Sequence, residues 1–219
     1  MRGQQDAPSA NLTIKCGGGA PLGADQKELC LYEKVFSNAS FPHALLKLDA
    51  DLAAAERGRP CRACGAAMHV ANYPRKPRGG PWALGPEHAF RHGLCCSREG
   101  CRQRVLPASV RYLGRRAYLG AVVVLGAALQ HGVSAGRVTH LGATLGVDRR
   151  TLVRWRRWWL EQFPQTRAGE ELSALLVPPA EPSTMPRSWL DRMTSPCVEA
   201  RLHVLLGSLA RWLGPPGAC

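Results

Sequence analysis

A pair of cysteines two residues apart is the clearest chemical feature of this chain of 219 residues. Cys61 and Cys64 are followed by Gly65, which permits the tight turn that lets both sulfurs face one ion. Cys96 and Cys101 provide a second pair further along the chain. Four thiolates around one ion form a closed tetrahedral site with no position left for water. The sequence therefore predicts a structural Zn²⁺ site whose ligands are Cys61, Cys64, Cys96 and Cys101.

Other residues of this segment compete for the same role. Cys95 is a neighbour or an alternate ligand, because two adjacent cysteines cannot easily face the same tetrahedral site. The distance between the two pairs is longer than the roughly fifteen to twenty residues of compact four-cysteine sites. Reduced cysteines scattered in a loop are the alternative, although this segment has no other visible means of burying a core. The rival histidine ligands are His69, His88 and His92.

A block of arginines is the second feature with chemical potential. The formal net charge is +13, and between Cys101 and Leu160 eleven arginines and no lysine stand against a single acid, Asp148. A GC-rich genome would favour arginine codons over lysine codons, but it would not remove the acids. Guanidinium groups bind phosphates and guanine edges in a bidentate manner. This imbalance predicts a polyanionic partner, with nucleic acid as the first candidate.

The arginines lie within a pattern typical of two helices joined by a sharp turn. Gly146 permits the turn, and Gly142 is small enough to let the helices cross closely. Asp148 is suited to cap the second helix, since its carboxylate can accept the free amides of Arg150 or Thr151. The apolar positions that would hold the pair together are Leu141, Leu145, Val147, Leu152 and Trp155.

The second helix of this pair has the properties of a DNA recognition helix. Burial of Leu152, Trp155 and Trp159 on one face would turn a row of arginines toward the opposite face. Side chains near its N-terminus would reach base edges, and the remaining arginines would bind phosphates. The expected base-edge contacts are Arg149, Arg150, Thr151 and Arg154. The expected phosphate contacts are Arg156, Arg157, Arg115 and Arg116.

The elements that position these groups are predicted to be mainly α-helical. We expect helices near 115–130, 136–145 and 149–163, and a short helix at 41–57 where apolar residues recur at helical spacing. The full prediction is a poorly ordered segment (1–40), a lead-in helix (41–57), a zinc-ribbon-like module (58–107), a three-helix helix-turn-helix domain (108–163), a Pro-rich linker (164–194) and a C-terminal amphipathic helix with its tail (195–219).

The C-terminal helix is expected to begin at Ser195 as the N-cap, with Pro196 in the first helical position. Its apolar stripe is expected to pack against the core, and a homodimer through this helix is the alternative use. The stripe consists of Val198, Leu202, Leu205, Leu209 and either Trp212 or Leu213.

No pattern of a secreted or membrane-bound protein is present. The N-terminus lacks a basic segment followed by an apolar run, so no signal peptide is expected. The longest apolar stretch, Leu119 to Leu129, is too short to span a bilayer and predicts a buried helix. We therefore expect a cytoplasmic, nucleoid-associated protein with no membrane partner.

Three stretches of the sequence resemble bacterial insertion-element proteins of the transposase type, in which a zinc ribbon precedes a helix-turn-helix. The resemblance implies a homeodomain-like helix-turn-helix that binds double-stranded DNA at element ends or promoters. Transposases of this build carry a ribonuclease-H-like nuclease downstream, in which three acids hold two metal ions. Only fifty-six residues follow Phe163, which favours an accessory or truncated protein of mobile-element origin. The stretches are Tyr73–Gly80, Cys95–Arg104 and Pro107–Arg116.

A second class of function fits the same sequence. A zinc-dependent adaptor would bind protein partners through the ribbon and the C-terminal helix, without specific DNA recognition. An enzyme is disfavoured, because no nucleophile and base pair, phosphate loop or His-Glu metal motif is present, so no small-molecule substrate is expected. Arg57–Pro60 resembles the minor-groove core of an AT-hook, and the loop from Pro74 to Gly80 is similarly basic.

Overall fold

The computed structural model describes most of the chain from residue 34 onward as a mainly helical protein with two small antiparallel sheets. The side chains of 135–137, 140, 182, 212 and 213 lie outside this description, and so does the predicted disorder of residues 1–33. The described residues are 34–113, 117–129, 135–175, 178, 181–195 and 197–213.

The lead-in helix α1 spans Ser40–Arg57, within one residue of the prediction. It follows a helical turn at 34–37, where Val35 and Phe36 are buried, so this end of the predicted disordered segment is instead part of the core. One face of α1 buries Phe41 and Leu45 against the core, and the helix also buries the carboxylate of Asp49. One face of α1 is therefore packed against the rest of the protein from Phe41 to Ala53.

The cysteine-containing segment forms two small sheets with almost no apolar core of its own. A three-stranded sheet has the order β1-β4-β5, and β2 pairs with β3; both are antiparallel. The buried residues of the larger sheet are Met68, Leu94 and Cys96, and Cys61 packs with them from the preceding turn. The strands are β1 (Met68–Val70), β2 (Tyr73–Pro74), β3 (Phe90–Arg91), β4 (Leu94–Cys96) and β5 (Arg104–Val105), and a 3-10 helix at Pro86–His88 lies between β2 and β3.

Three helices follow at the predicted places; the first and third are shorter than predicted, and the second begins one residue earlier. Helix α2 (Gly120–Ala128) is buried at every position, as expected for the apolar stretch from Leu119 to Leu129. Helices α3 (Ala135–Leu145) and α4 (Arg149–Arg157) pack against it and against each other. Beyond α4 the chain continues as a π-helix at Trp158–Gln162 and a 3-10 helix at Phe163–Gln165. None of the helices in these described parts is long and apolar enough to cross a membrane.

The structure differs from the predicted Pro-rich linker over 164–194. This segment contains helices α5 (Arg167–Ala174) and α6 (Arg187–Arg192) and a 3-10 helix at Pro182–Thr184. Trp189 of α6 is buried against Phe163, with ring centroids 5.4 Å apart, and against Trp159 at 6.1 Å. The packing of these aromatic rings makes the segment part of the main core. The prolines lie between its short helices.

The C-terminal helix α7 spans Val198–Leu213 and begins after the predicted Ser195 cap. Its apolar stripe is buried in the core, as predicted; the buried side chains are those of Val198, Leu202, Leu205 and Leu209. These side chains are covered within the chain, and a homodimer through this helix stays a prediction. The side chains of Trp212 and Leu213, and Pro196, lie outside the described residues.

Candidate metal centre and candidate nucleic-acid interface

The first cysteine pair lies in a tight turn that begins at Cys61. The N–H groups of Cys64 and Gly65 both donate to the Cys61 carbonyl, at 3.3 and 2.7 Å. Gly65 adopts a φ of 72°, in the left-handed region that favours glycine. The N–H of Cys61 donates to the carbonyl of Ala66 at 2.8 Å and closes the turn. This geometry turns the two sulfurs to the same side, as the spacing predicts.

The second pair is held at the end of β4 and in the turn that follows it. The N–H of Cys96 donates to the Gln103 carbonyl at 2.9 Å, which fixes the two ends of this turn. The N–H of Arg98 donates to the Cys96 sulfur at 3.4 Å. Gly100 has a φ of 82°, so the wider spacing of this pair is also accommodated by a left-handed glycine.

The four predicted cysteines come together at one point. The sulfurs of Cys61 and Cys101 are 3.9 Å apart, those of Cys64 and Cys96 are 3.3 Å apart, and all four lie within 4.8 Å of one another. Sulfurs at about 2.3 Å from a tetrahedral Zn²⁺ ion are about 3.8 Å from one another. The four cysteines therefore have the positions needed to hold one metal ion.

The rival ligands lie elsewhere. Successive residues of a strand point to opposite faces, so Cys95 faces away from Cys96, and its sulfur donates to the carbonyl of Arg102 at 3.7 Å. His69 is exposed on β1, and the ring of His92 packs edge-on against Phe90. His88 is buried beside His43, away from the cysteine cluster.

The surroundings shift the pKa values of two of these thiols in opposite directions. The backbone N–H of Ala66 has the largest effect on Cys64 and, together with the sulfur of Cys96, lowers its pKa to about 7. Burial raises the pKa of Cys96 to about 12. Ionisation of a second thiol beside Cys64 therefore requires a compensating positive charge. A divalent ion between the four sulfurs would supply that charge.

The turn between α3 and α4 has the geometry that its glycines predict. A Cβ atom on Gly142 would lie 2.6 Å from the carbonyl oxygen of Val147, so only glycine fits where the two segments cross. Gly146 has a φ of 62°, which L-residues rarely adopt. The side chains of Leu145 and Leu152 are fully buried next to this crossing. The predicted helix pair is therefore present, with its turn at Gly146.

The start of α4 is capped by Asp148, as predicted. Its carboxylate accepts hydrogen bonds from the N–H of Thr151 at 3.0 Å and from the Thr151 hydroxyl at 2.7 Å. These two bonds, the hydroxyl first, lower the pKa of Asp148 below its ordinary value. Thr151 is only 6% exposed. Its hydroxyl is therefore engaged by the cap, and its expected contact with a base edge stays a prediction.

The predicted arginines of α4 are divided between surface and interior. Leu152, Trp155 and Trp159 are buried together, and Trp155 packs edge-on against Tyr118 at 4.9 Å. Arg156 is half-buried, and burial lowers the pKa of its guanidinium. Arg115 and Arg116 lie outside the described residues. The exposed arginines are Arg149, Arg150, Arg154 and Arg157.

The basic loop from Pro74 to Gly80 lies beside the helix pair, a position that the sequence did not predict. The N–H of Gly80 donates to the carbonyl of Leu145 at 2.8 Å, one residue before the turn of the helix pair. Arg78 exchanges backbone hydrogen bonds with Ala117 and Leu119, at 3.1 and 3.0 Å. The consecutive glycines Gly79 and Gly80 were the available clue, since both have positive φ values and approach the helices closely.

Comparison of the chain with protein-family models, with curated proteins and with solved structures finds no match to any of them.

Proposed function

We propose that this chain binds double-stranded DNA, with α3, the turn at Gly146 and α4 acting as a helix-turn-helix and α4 as the recognition helix. The four cysteines would hold a structural Zn²⁺ ion in a ribbon module. The resemblance to insertion-element proteins supports a mobile-element origin. No catalytic step is included in the proposal.

One observation carries this proposal: the exposed arginines lie on the face of α4 opposite its buried residues. Arg149, Arg150 and Arg154 form no ion pair with an acid in the described part of the chain, and Arg157 pairs only with the exposed Glu161 at 3.3 Å. Like charges placed this closely repel one another in water. A phosphate backbone would relieve that repulsion and release counterions from the DNA.

The distance of each arginine from the capped N-terminus of α4 determines whether it would contact bases or phosphates. Arg149 and Arg150 follow Asp148 directly, at the helix end that enters the major groove in helix-turn-helix proteins. Their guanidinium groups would reach base edges, together with Arg154 one turn later. Arg157 lies two turns from the N-terminus and would bind the phosphate backbone, with the half-buried Arg156 beside it.

The basic loop supports the same interface. Lys76 and Arg78 are exposed on the loop that Gly80 joins to the end of α3. They therefore add positive charge next to the helix pair. The loop lies between β2 and β3, within the segment that the cysteines enclose, so a bound Zn²⁺ ion would help to keep it in place. This links the metal centre to DNA binding without a catalytic role.

A protein-binding adaptor is the second candidate, and one surface feature favours it. Leu48, Leu52 and Val204 are exposed large apolar side chains that line a cavity of about 590 Å³ between α1 and α7. An apolar surface of this kind often forms a partner interface. The adaptor would bind through this cavity, and its binding would depend little on salt.

A salt titration of DNA binding distinguishes the two candidates. The zinc-loaded full chain would be titrated into a labelled duplex of random sequence and followed by fluorescence anisotropy. Phosphate contacts by Arg156 and Arg157 predict a slope of about −2 for log K against log salt, and further phosphate contacts by Lys76 and Arg78 would make it steeper. Polyglutamate as competitor controls for a general affinity for polyanions. Undetectable binding, or equal competition by polyglutamate, would favour the adaptor.

A further inference from the structure

We infer that the protein has a second metal site, separate from the four cysteines, in which His43, Glu87 and His88 bind a Zn²⁺ ion. His43 lies in the first turn of α1, and the other two residues belong to the 3-10 helix between β2 and β3. One ligand atom from each lies within 4.8 Å of the others. The site goes beyond the proposed DNA-binding function and does not depend on it.

The distances within this cluster match the edges of a zinc coordination shell. The Nε2 atom of His88 is 3.4 Å from the Nδ1 atom of His43 and 3.5 Å from the Oε1 atom of Glu87. Histidine and carboxylate ligands lie about 2.0–2.2 Å from a tetrahedral Zn²⁺ ion, which places two such ligand atoms about 3.3–3.6 Å apart. Both measured distances fall in that range.

Direct hydrogen bonds explain the same contacts less well. The distances of 3.4 and 3.5 Å exceed the range of about 2.7–3.2 Å that is usual for hydrogen bonds. Moreover, the Nε2 atom of His88 cannot donate to Glu87 and accept from His43 at once, because it carries either a proton or a lone pair. A cation accepts electron pairs from all three side chains together.

One of the three proposed ligands is buried and the other two are exposed, which suits a metal site that an ion can enter from solvent. The ring of His88 is 1% exposed and therefore fixed by packing. Its Nε2 atom faces His43 and Glu87 and is therefore the ring nitrogen that would bind the ion, while the buried Nδ1 would carry the ring proton. His43 and Glu87 are exposed, so an ion can enter from solvent and retain a water as its fourth ligand.

The charge and the donor set favour a zinc-like ion. Glu87 supplies one negative charge, and two imidazoles with one carboxylate suit Zn²⁺ better than Mg²⁺ or Ca²⁺. The buried cation Arg111 is within hydrogen-bond reach of the His88 carbonyl and is paired with the carboxylate of Asp49. A bound ion would join α1 to the 3-10 helix between β2 and β3. These two elements are far apart in sequence. The ion would therefore stabilise the folded chain in proportion to its occupancy.

Calorimetric titration of the full chain, with one zinc already bound by the cysteines, tests this site. We expect the wild type to bind one further Zn²⁺ and His43→Ala and Glu87→Gln each to weaken that event at least about tenfold. Both substitutions are at exposed positions, so the fold should be kept. His69→Ala is the matched control, because it removes an exposed histidine from β1. This control should bind the second ion as the wild type does.

Cobalt provides an independent readout. Co²⁺ added to the zinc-loaded protein should give a visible spectrum without the thiolate charge-transfer bands that occupation of the cysteine site would produce. The melting temperature should rise with added Zn²⁺ in the wild type and in His69→Ala, but not in His43→Ala. The inference is overturned if no second ion binds, if both site variants bind it as well as the wild type, or if His69→Ala weakens it equally.

Discussion

The carboxylate of Asp49 in α1 accepts a hydrogen bond of 2.8 Å from the Nε atom of Arg111, and neither side chain is more than 2% exposed. The same guanidinium donates to the carbonyl of Phe90 in β3 at 3.0 Å. Asp49 also accepts from the Ser109 hydroxyl at 2.6 Å and from the N–H of Val110 at 2.7 Å. One buried ion pair thus joins α1, the cysteine-containing segment and the chain that leads into α2.

Removal of one partner of this pair should destabilise the protein strongly. Asp49→Ala or Arg111→Ala leaves a buried charge without its partner, which costs about 3–5 kcal/mol in the free energy of unfolding. Urea unfolding followed by tryptophan fluorescence measures this loss. The double variant should lose less than the sum of the two single losses, because it leaves neither charge alone.

An exposed ion pair provides the control for this prediction. Arg167 and Glu171 are 2.7 Å apart on α5, and the arginine is 83% exposed. Arg167→Ala should change the free energy of unfolding by about 1 kcal/mol or less. Losses of similar size for Arg167→Ala and Arg111→Ala would show that the buried pair has no special role.

Metal removal should unfold the segment that contains the cysteines. Cys61, Met68, Leu94 and Cys96 form its small core, so little apolar burial would be left without an ion. We expect about one tightly bound zinc per purified chain, as in four-cysteine sites. Cys101→Ser should abolish this zinc, and a strong chelator should expose the thiols of the wild type to a thiol reagent. Metal analysis and thiol counting measure both effects.

Cys95→Ser is the matched control for the metal centre. Cys95 lies next to Cys96 but directs its sulfur toward the Arg102 carbonyl. This variant should keep its zinc and its resistance to the thiol reagent. If Cys95→Ser lost its zinc and Cys101→Ser retained it, Cys95 and not Cys101 would be the fourth ligand.

Features with a local sequence pattern were predictable. The cysteine spacing was enough to locate the cluster and to favour Cys96, with Cys95 left as an alternate ligand. The glycines at 142 and 146, with Asp148 after them, located the helix pair and its cap. In each case a backbone requirement restricts the residue type at one position, so the sequence carries the information directly.

Features that depend on distant contacts were not predictable. Nothing near Asp49 in sequence indicates that its partner is Arg111, because the pair forms only after the core has brought α1 against the later chain. Trp189 likewise lies among prolines, and its burial depends on the aromatic rings of Trp159 and Phe163. The proposed cluster at His43 and His88 is another contact between segments far apart in sequence.

The close crossing of α3 and α4 should make Gly142 intolerant of any side chain. Gly142→Ala places a Cβ atom against the Val147 carbonyl and should destabilise the protein by about 1–3 kcal/mol, as overpacking does. Gly207→Ala in α7 is the control, since no atom lies within 4 Å of its added Cβ. It should stabilise α7 by about 0.5–1 kcal/mol. Thermal or urea unfolding measures both changes.

The cap at Asp148 should make stability depend on pH in the acid range. Its pKa is lower in the folded protein, through the Thr151 hydroxyl and N–H, than the value of about 3.9 in an unfolded chain. The cap therefore contributes fully above that unfolded value, and its contribution is lost as the pH falls through the folded value. The melting temperatures of the wild type and Asp148→Ala should differ at neutral pH and converge in acid. A constant difference between pH 7 and pH 3 would contradict this role.

Binding of duplex DNA by the triple variant Arg150→Ala, Arg154→Ala and Arg157→Ala tests the proposed interface most directly. Its matched control, Arg167→Ala, Arg192→Ala and Arg211→Ala, removes the same charge from exposed positions outside α4. At equal salt, we expect the α4 variant to bind at least about 100-fold more weakly and its salt slope to become less negative by about 0.9, the share of the Arg157 phosphate contact, while the control stays near the wild type. Equal affinities of the α4 variant and the wild type, or equal losses in both variants, would contradict DNA recognition by α4.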